Sequence, residues 1–310
     1  MNRPKVSVSL ITYNHEKYIA ACLDSIIKQV TGFEFEIVVS DDCSTDKTPE
    51  IIADYALQYP NLIKPILRKT NVGMVKNGIE TMKACTGQYI AVMEGDDFWC
   101  DEHKLQTQSD YLDKNTDCVI CFTNGYIFFE DDPGKTQFFF TNENKPLQKF
   151  NQQYFLYNNI LIPNNTKMFR SDAQPEVFPD WIYSTINWDW VLHVLQSLKG
   201  NIGYIDLVTL GYRRHSEAAF ALKSETNILL DGIATATQLN KYLGYKYDSI
   251  LKNQWWEYHE LAHIYLRQGN WGKFLNYYLK YFANLRHGGR FNLRDEVWMM
   301  KQSLKGKKYN

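Results

Sequence analysis

The chain has 310 residues, 45% hydrophobic and 22% charged, a globular composition long enough for one large domain or two smaller ones. A formal net charge of -1 excludes any general attraction for nucleic acid or for an anionic membrane. Six cysteines in this length exclude a disulfide framework, and the C-x-x-C at Cys118 and Cys121, filled by Val119 and Ile120, reads as buried strand rather than half a zinc site. No basic segment followed by a long apolar one opens the chain, and no run approaches the ~18 apolar residues of a membrane span. The expected location is therefore the cytoplasm, with reduced thiols.

In chain order, "KVSVSLITY" (5–13) reads as a strand that ends on Tyr13 and Asn14. Apolar residues at Ile19, Leu23, Ile26, Ile27 and Val30 make a helical stripe between Glu16 and Val30. "FEIVVSDD" (35–42) is a second strand, ending on two carboxylates. Thr48 and Pro49 read as the N-cap and first residue of the next helix. "LIKPILRK" (62–69) is a third strand, 77–85 a helix stopped by Gly87, and "QYIAVM" (88–93) a fourth strand. This rhythm predicts an α/β fold with a mostly parallel, doubly wound sheet, its ligands outside the carboxyl ends of the strands. Beyond it the spacing predicts a helix over 102–114, a strand at 119–122, a helix over 188–198 and a strand pair in "NIGYIDLVTLGYRRH". Residues 130–165 carry no clear period. From 216 onward the period is helical, which places a boundary between a domain at 1–215 and a smaller helical region at 216–310.

The polar clusters fall at the strand ends: Tyr13–Asn14, Asp41–Asp42, and Glu94, Asp96 and Asp97 in "MEGDDFW". Carboxylates this close repel unless something positive lies between them, and a divalent cation is one such thing. "VSLITYNHEKYI", "VVSDDCSTDKT", "NVGMVKNGI" and "GQYIAVMEGDDFW", in this order and spacing, resemble the nucleotide-binding half of a family-2 glycosyltransferase with the GT-A fold, of the bacterial cell-surface polysaccharide type. That likeness covers residues 1–115. "INWDWVLHVLQSLKGNIGYIDLVTLGYRRH" resembles the acceptor side of the same enzymes, within 116–215.

The resemblance implies a metal-dependent, inverting transfer from a nucleotide-diphosphate sugar, UDP-linked, to a saccharide or lipid-linked acceptor, with Mn2+ or Mg2+ stabilising the leaving diphosphate. It makes Asp97 the direct metal ligand, with His215 near the metal or phosphates, and sets Asp96 on the ribose or a metal-bound water. Tyr13 would pack on the base, with Thr12 and Asn14 beside it. Asp42 would accept the base's ring N–H, Asp41 being the next candidate, and Lys76 would steady a phosphate. Asp189, the only acid between Asp180 and Asp206, would be the general base. Two departures stand out: Glu94 where the family often has Asp, and His193 where many relatives carry Arg. Ser44 and Asp46 read as turn and cap residues.

Two further stretches compete for attention. His259, Glu260 and His263 satisfy H-E-x-x-H, which on a helix sets two histidines on one face as zinc proteases do. A third ligand is needed, and the nearest distant acids, Asp295 and Glu296, lie in a separate basic segment. The surrounding sequence resembles a tetratricopeptide-like helical hairpin, so both histidines are expected to be structural. The tail "LRDEVWMMKQSLKGKKYN" mixes apolar residues with lysines. It leaves room for peripheral contact at the inner membrane face, with a packed terminal helix as the plainer reading, and the C-terminal helices leave room for a homodimer. The competing functions are a nucleotidyltransferase, which should carry a glycine- and arginine-rich loop that "TYNHEKY" lacks, and a catalytically idle helical-repeat binding module.

Overall fold

The computed structural model describes residues 3–158, 160–215, 223–284 and 293–306. The chain divides into two compact units: Met1–Gln152, Ile160–Phe178 and Leu192–Ser216 in the first, and Gln153–Asn159, Pro179–Val191 and Glu217–Asn310 in the second. Segments 153–159 and 179–191, read from sequence as part of the first domain, thus belong to the second unit. The expected boundary at 215–216 meets residues 216–222, which lie outside the described residues, as do 307–310 of the basic tail.

The first unit opens with β1 (Val6–Thr12), α1 (Ile19–Ile27), β2 (Phe35–Asp41), α2 (Thr48–Gln58), β3 (Ile63–Leu67), α3 (Met74–Ala84) and β4 (Tyr89–Glu94). These strands lie parallel in the order β3-β2-β1-β4. Every residue of β1 is buried, as expected of a central strand covered on both faces. Val6, Val8 and Leu10 enter the core beside Ile19, Leu23 and Ile26 of α1. The alternating serines also have a use: Ser7 donates to Glu36 at 2.6 Å and accepts from the Gly87 N–H at 2.7 Å. Thr48 is not the N-cap of α2; Lys47 occupies that place without a side-chain bond. The Thr48 hydroxyl instead accepts from the His15 N–H at 2.9 Å, and Asp46 accepts from the Thr48 N–H at 2.9 Å.

The second half of the sheet is mixed. After β5 (Phe98–Trp99) and α4 (Lys104–Lys114) come β6 (Cys118–Phe129), β7 (Asp132–Phe138), β8 (Lys149–Phe150), α5 (Gln152–Asn158) and β9 (Met168–Arg170), then α6 (Trp188–Ser197) and β10 (Asn201–Arg214). β9 runs antiparallel between β4 and β6, while β10 lies parallel to β6. Cys118 and Cys121 are buried free thiols on β6. The strand pair expected at 201–215 is a single strand, because neither Gly203 nor Gly211 adopts the positive φ of a tight turn. The chain absorbs the irregularity as register shifts between Ile205 and Leu210.

The second unit carries α7 (Glu225–Tyr242), α8 (Asp248–Arg267), α9 (Trp271–Asn284) and α10 (Leu293–Leu304). Ser224 caps α7 by accepting from the Asn227 N–H at 3.2 Å. The α8–α9 hairpin turns at Gly269, whose φ of 71° suits glycine, and Tyr265 stacks on Tyr277 at 5.5 Å across it. Among the described residues no helix is long and apolar enough to cross a membrane.

Candidate functional site

Parallel strands deliver β1, β2 and β4 to the same edge, so the segments after Thr12, Asp41 and Glu94 meet. The first two are laced together. Asn14, at φ 55°, donates its N–H to Ser44 at 2.8 Å and accepts the Thr45 N–H at 2.8 Å. Glu16 and Asp46 exchange the equivalent bonds, Asp46 accepting the Glu16 N–H and Glu16 accepting the Lys47 N–H, both at 3.0 Å. Ser44 and Asp46 therefore act in the turn, as read from sequence. Cys43 is held at φ 63°, a costly conformation for a non-glycine residue. Tyr13 stands 44% exposed on this braced rim, presenting an aromatic face to solvent.

Asp42 is buried, and its two oxygens accept the N–H groups of Val72 (2.8 Å) and Gly73 (2.9 Å), fixing the loop that enters α3. Asp41 closes its own turn by accepting from the Ser44 N–H at 2.9 Å and from the Ser44 hydroxyl. Lys76, on the first turn of α3, is half exposed with Glu80 3.9 Å away.

Asp96 and Asp97 face different surroundings. Asp97 is 2% exposed; its Oδ1 accepts the Arg213 N–H at 2.8 Å and its Oδ2 accepts from Asn165 at 2.5 Å. It ties the strand end to β10 and to the turn Asn164–Thr166. Burial and then the neighbouring Asp96 charge hold its pKa well above the carboxylate range. Asp96 points toward two histidines, Oδ2 lying 3.2 Å from His215 Nε2 and 3.8 Å from His15 Nε2. Burial pushes its pKa up, but the bond to His215 and the nearby His15 outweigh this and hold it below the ordinary value. Burial, opposed by Asp96, lowers the pKa of His15. Gly95 between the acids is required: a Cβ there would lie 2.5 Å from the Thr12 hydroxyl, which itself meets His15 Nδ1 at 3.2 Å.

The donor set suits a divalent cation. Asp96 Oδ1 is buried with no hydrogen-bond partner among the described residues, and an imidazole lies against the other oxygen. Arg213 closes the group: its Nε donates to the Asp96 carbonyl at 3.0 Å, and its guanidinium sits 4.5 Å from the Tyr18 ring and 4.8 Å from that of Phe128. The Tyr18 hydroxyl in turn donates to Glu130 at 2.9 Å. The structure thus brings Thr12, Asp96, Asp97 and His215 together and adds His15, Arg213 and Asn165, which the sequence reading passed over. His15 and Arg213 sit inside the stretches "TYNHEKY" and "YRRH", whose polar side chains were the available signal. Nothing in "PNNT" marks Asn165.

Asp189 belongs to the second unit, in the first turn of α6, where its Oδ1 accepts the Trp190 N–H at 2.8 Å. Asp231 of α7 fixes the turn before it, accepting from Thr185 (2.9 Å), the Ile186 N–H (3.0 Å) and Asn187 (2.9 Å). His193 is buried, and burial, aided by Lys167, holds its pKa well below the ordinary value.

The family model described as Glycosyl transferase family 2 matches residues 7–178. A protein of Mycobacterium tuberculosis (strain ATCC 25618 / H37Rv) is 36% identical over 214 residues, 68% of this chain and 59% of that protein, so less than two thirds of the relative's length is spanned. Staphylococcus aureus TarS 1-349 in complex with UDP-GlcNAc matches with a TM-score of 0.57 at 18% identity, over 93% of each chain. The mannosyltransferase PcManGT from Pyrobaculum calidifontis, in complex with GDP-Man and Mn2+, matches with a TM-score of 0.51 at 15% identity, over 99% of this chain and 86% of that one. At these identities the structural likeness establishes the fold, that of the GT-A glycosyltransferases.

Proposed function

The chain belongs to glycosyl transferase family 2, and from that premise we propose that it moves a sugar, with inversion, from a UDP-linked donor to a saccharide or lipid-linked acceptor in surface polysaccharide synthesis. The observation that carries this reading is Asp96: a largely enclosed carboxylate at the sheet's carboxyl edge, against His215, with one buried oxygen that has no hydrogen-bond partner among the described residues. The UDP-GlcNAc held by TarS, and the GDP-Man and Mn2+ held by the mannosyltransferase, support a nucleotide-sugar donor and a divalent ion. Mn2+ or Mg2+ would be held by Asp96 and His215 and would supply charge neutralisation for the departing diphosphate. Asp97 then serves behind Asp96, anchoring the loop through Asn165 and Arg213, rather than as the ligand that family position alone assigns.

Tyr13 supplies a stacking face for the base, and Thr12 and Asn14 hold the loop that carries it. Asp42 acts on the nucleotide through the 71–73 backbone as well as through its own oxygens, a role supported by its bonds to the Val72 and Gly73 N–H groups. Lys76 is an exposed cation at the start of α3, suited to a phosphate. Asp189 is the general base, accepting the proton of the acceptor hydroxyl as that oxygen attacks the anomeric carbon. The protein acts at the cytoplasmic side of the membrane, and Trp271, Leu275, Leu279 and Phe282, exposed along α9, supply an apolar stripe for a homodimer. The deciding experiment is calorimetry of UDP with and without Mn2+, followed by a screen of donor hydrolysis across nucleotide sugars. Metal-linked UDP binding that disappears in Asp96→Asn is the expected result. UDP binding indifferent to metal, EDTA and Asp96→Asn overturns the reading and leaves an idle module.

A further inference from the structure

Folding supplies what the H-E-x-x-H stretch lacks in sequence. His259 and His263 stand one turn apart on α8, and α10 brings Glu296 against both. His259 Nε2 lies 3.0 Å from Glu296 Oε1, and His263 Nε2 lies 3.9 Å from Oε2. The three candidate ligand atoms all fall within 4.8 Å of one another, the one such group of histidine, cysteine and acid side chains among the described residues. A tetrahedral ion with bonds of about 2.1 Å sets its ligand atoms about 3.4 Å apart, close to these spacings. Exposure is 1%, 0% and 4% for His259, His263 and Glu296, so the group is enclosed.

The surroundings are those of a metal site as well. A ligating histidine commonly uses its other ring nitrogen on an outer partner, which fixes the ring. His263 Nδ1 meets the Ser303 hydroxyl at 2.9 Å, and His259 Nδ1 faces Glu260 at 3.9 Å. The carboxylate is aimed by two tyrosines: Tyr281 donates to Oε1 at 2.8 Å and Tyr278 to Oε2 at 2.9 Å. Two imidazoles and one carboxylate form a borderline donor set that suits zinc better than a hard cation.

We propose that His259, His263 and Glu296 bind one zinc-class divalent cation that clamps α10 to α8. The role is structural. Three protein ligands leave a fourth position for a water, and histidines buried to this degree give a peptide bond no access to it. The site is independent of the Asp96–His215 group of the first unit, which has its own ligands.

The test uses the full chain stripped with EDTA and dialysed, then titrated with Zn2+, the bound metal being counted by elemental analysis. To silence the other group, the count is made in Asp96→Asn/His215→Gln. One zinc per chain in that variant, with melting raised by several degrees on zinc addition, is the expected result. Glu296→Gln, which keeps one of the two acceptor oxygens and the side-chain shape, should lose that zinc and the melting shift. With Co2+, the Asp96→Asn/His215→Gln chain should show the visible bands of a low-coordinate site, absent once Glu296→Gln is added. No zinc in Asp96→Asn/His215→Gln, or the same zinc after Glu296→Gln, overturns the proposal and leaves a metal-free hydrogen-bond network. Should Glu296→Gln fail to fold, the zinc count in Asp96→Asn/His215→Gln decides alone, because all three ligands are intact there.

Discussion

Asp96 and Asp97 are neighbours in the chain, yet their side chains do different work. Both Asp97 oxygens accept hydrogen bonds in a buried pocket, so Asp97→Asn sets an amide donor against the donors of Asn165 or Arg213. A buried mispairing of this kind costs about 1–3 kcal/mol, to be read as a lowered urea midpoint. Asp96→Asn should leave that midpoint close to wild type and abolish metal-linked UDP binding. If the two variants exchange these phenotypes, Asp97 is the ligand and Asp96 the anchor. For Asp189→Asn we expect metal-dependent UDP binding to persist while transfer falls by ~10²-fold or more. Transfer near the wild-type rate would reduce Asp189 to an acid favoured by the helix N-terminus.

At the scale of elements, two buried charges make the sheet and α4 sensitive to pH in the same direction but in separate windows. Lys104 of α4 is fully buried, donates to Gln108 at 2.5 Å and lies 4.2 Å from the Trp99 ring. Burial lowers its pKa to about 7. The unfolded chain then binds the proton more readily between about 7 and 10.4, so stability rises with pH across that window. Lys104→Met should remove this rise, seen as a wild-type-minus-variant difference in urea midpoint that grows from pH 7 to pH 9.5. A difference that stays flat would mean that Lys104 is charged in the folded chain.

Glu36 of β2 acts in the acid range. Burial pushes its pKa up, but Lys64, Ser7 and Thr86 more than offset this and bring it down to about 2. Its contribution is fully present above the unfolded value of about 4.3 and is lost as pH falls through about 2. Glu36→Gln should cost roughly 2–3 kcal/mol at pH 7 and flatten the acid limb of the stability curve, measured by thermal melts from pH 5 to pH 2. An unchanged acid limb would show that β2 draws no stability from this carboxylate.

On the scale of the whole molecule, Trp271, Leu275, Leu279 and Phe282 recur on one face of α9 and are 40–60% exposed, an apolar stripe that a lone chain leaves in water. A homodimer through this face should appear in sedimentation equilibrium and be lost in Leu275→Asp/Leu279→Asp. A wild-type chain that sediments as a monomer would reserve the stripe for a membrane surface, which flotation with anionic vesicles would reveal.

Sequence alone determined the parallel half of the sheet, because period and turn chemistry are local and β1, β2 and β4 are central strands with little freedom in register. It determined where the polar clusters fall, since a parallel sheet must present its strand ends on one edge. Residues 130–165 were illegible for a physical reason. β7 pairs with the adjacent β6, but its sequence DPGKTQF has Pro, Gly and almost no apolar alternation, and β8 is two residues long with its partner β10 far along the chain, so no local period encodes them. Tertiary structure decided what each polar residue does. Asp96 and Asp97 have the same chemistry and adjacent positions, and only the arrival of Asn165, Arg213 and His215 from distant strands and turns separates their roles. Glu296 is one of two adjacent acids in a basic segment until α10 carries it to His259 and His263, a pairing across sequence that no spacing rule within either helix contains.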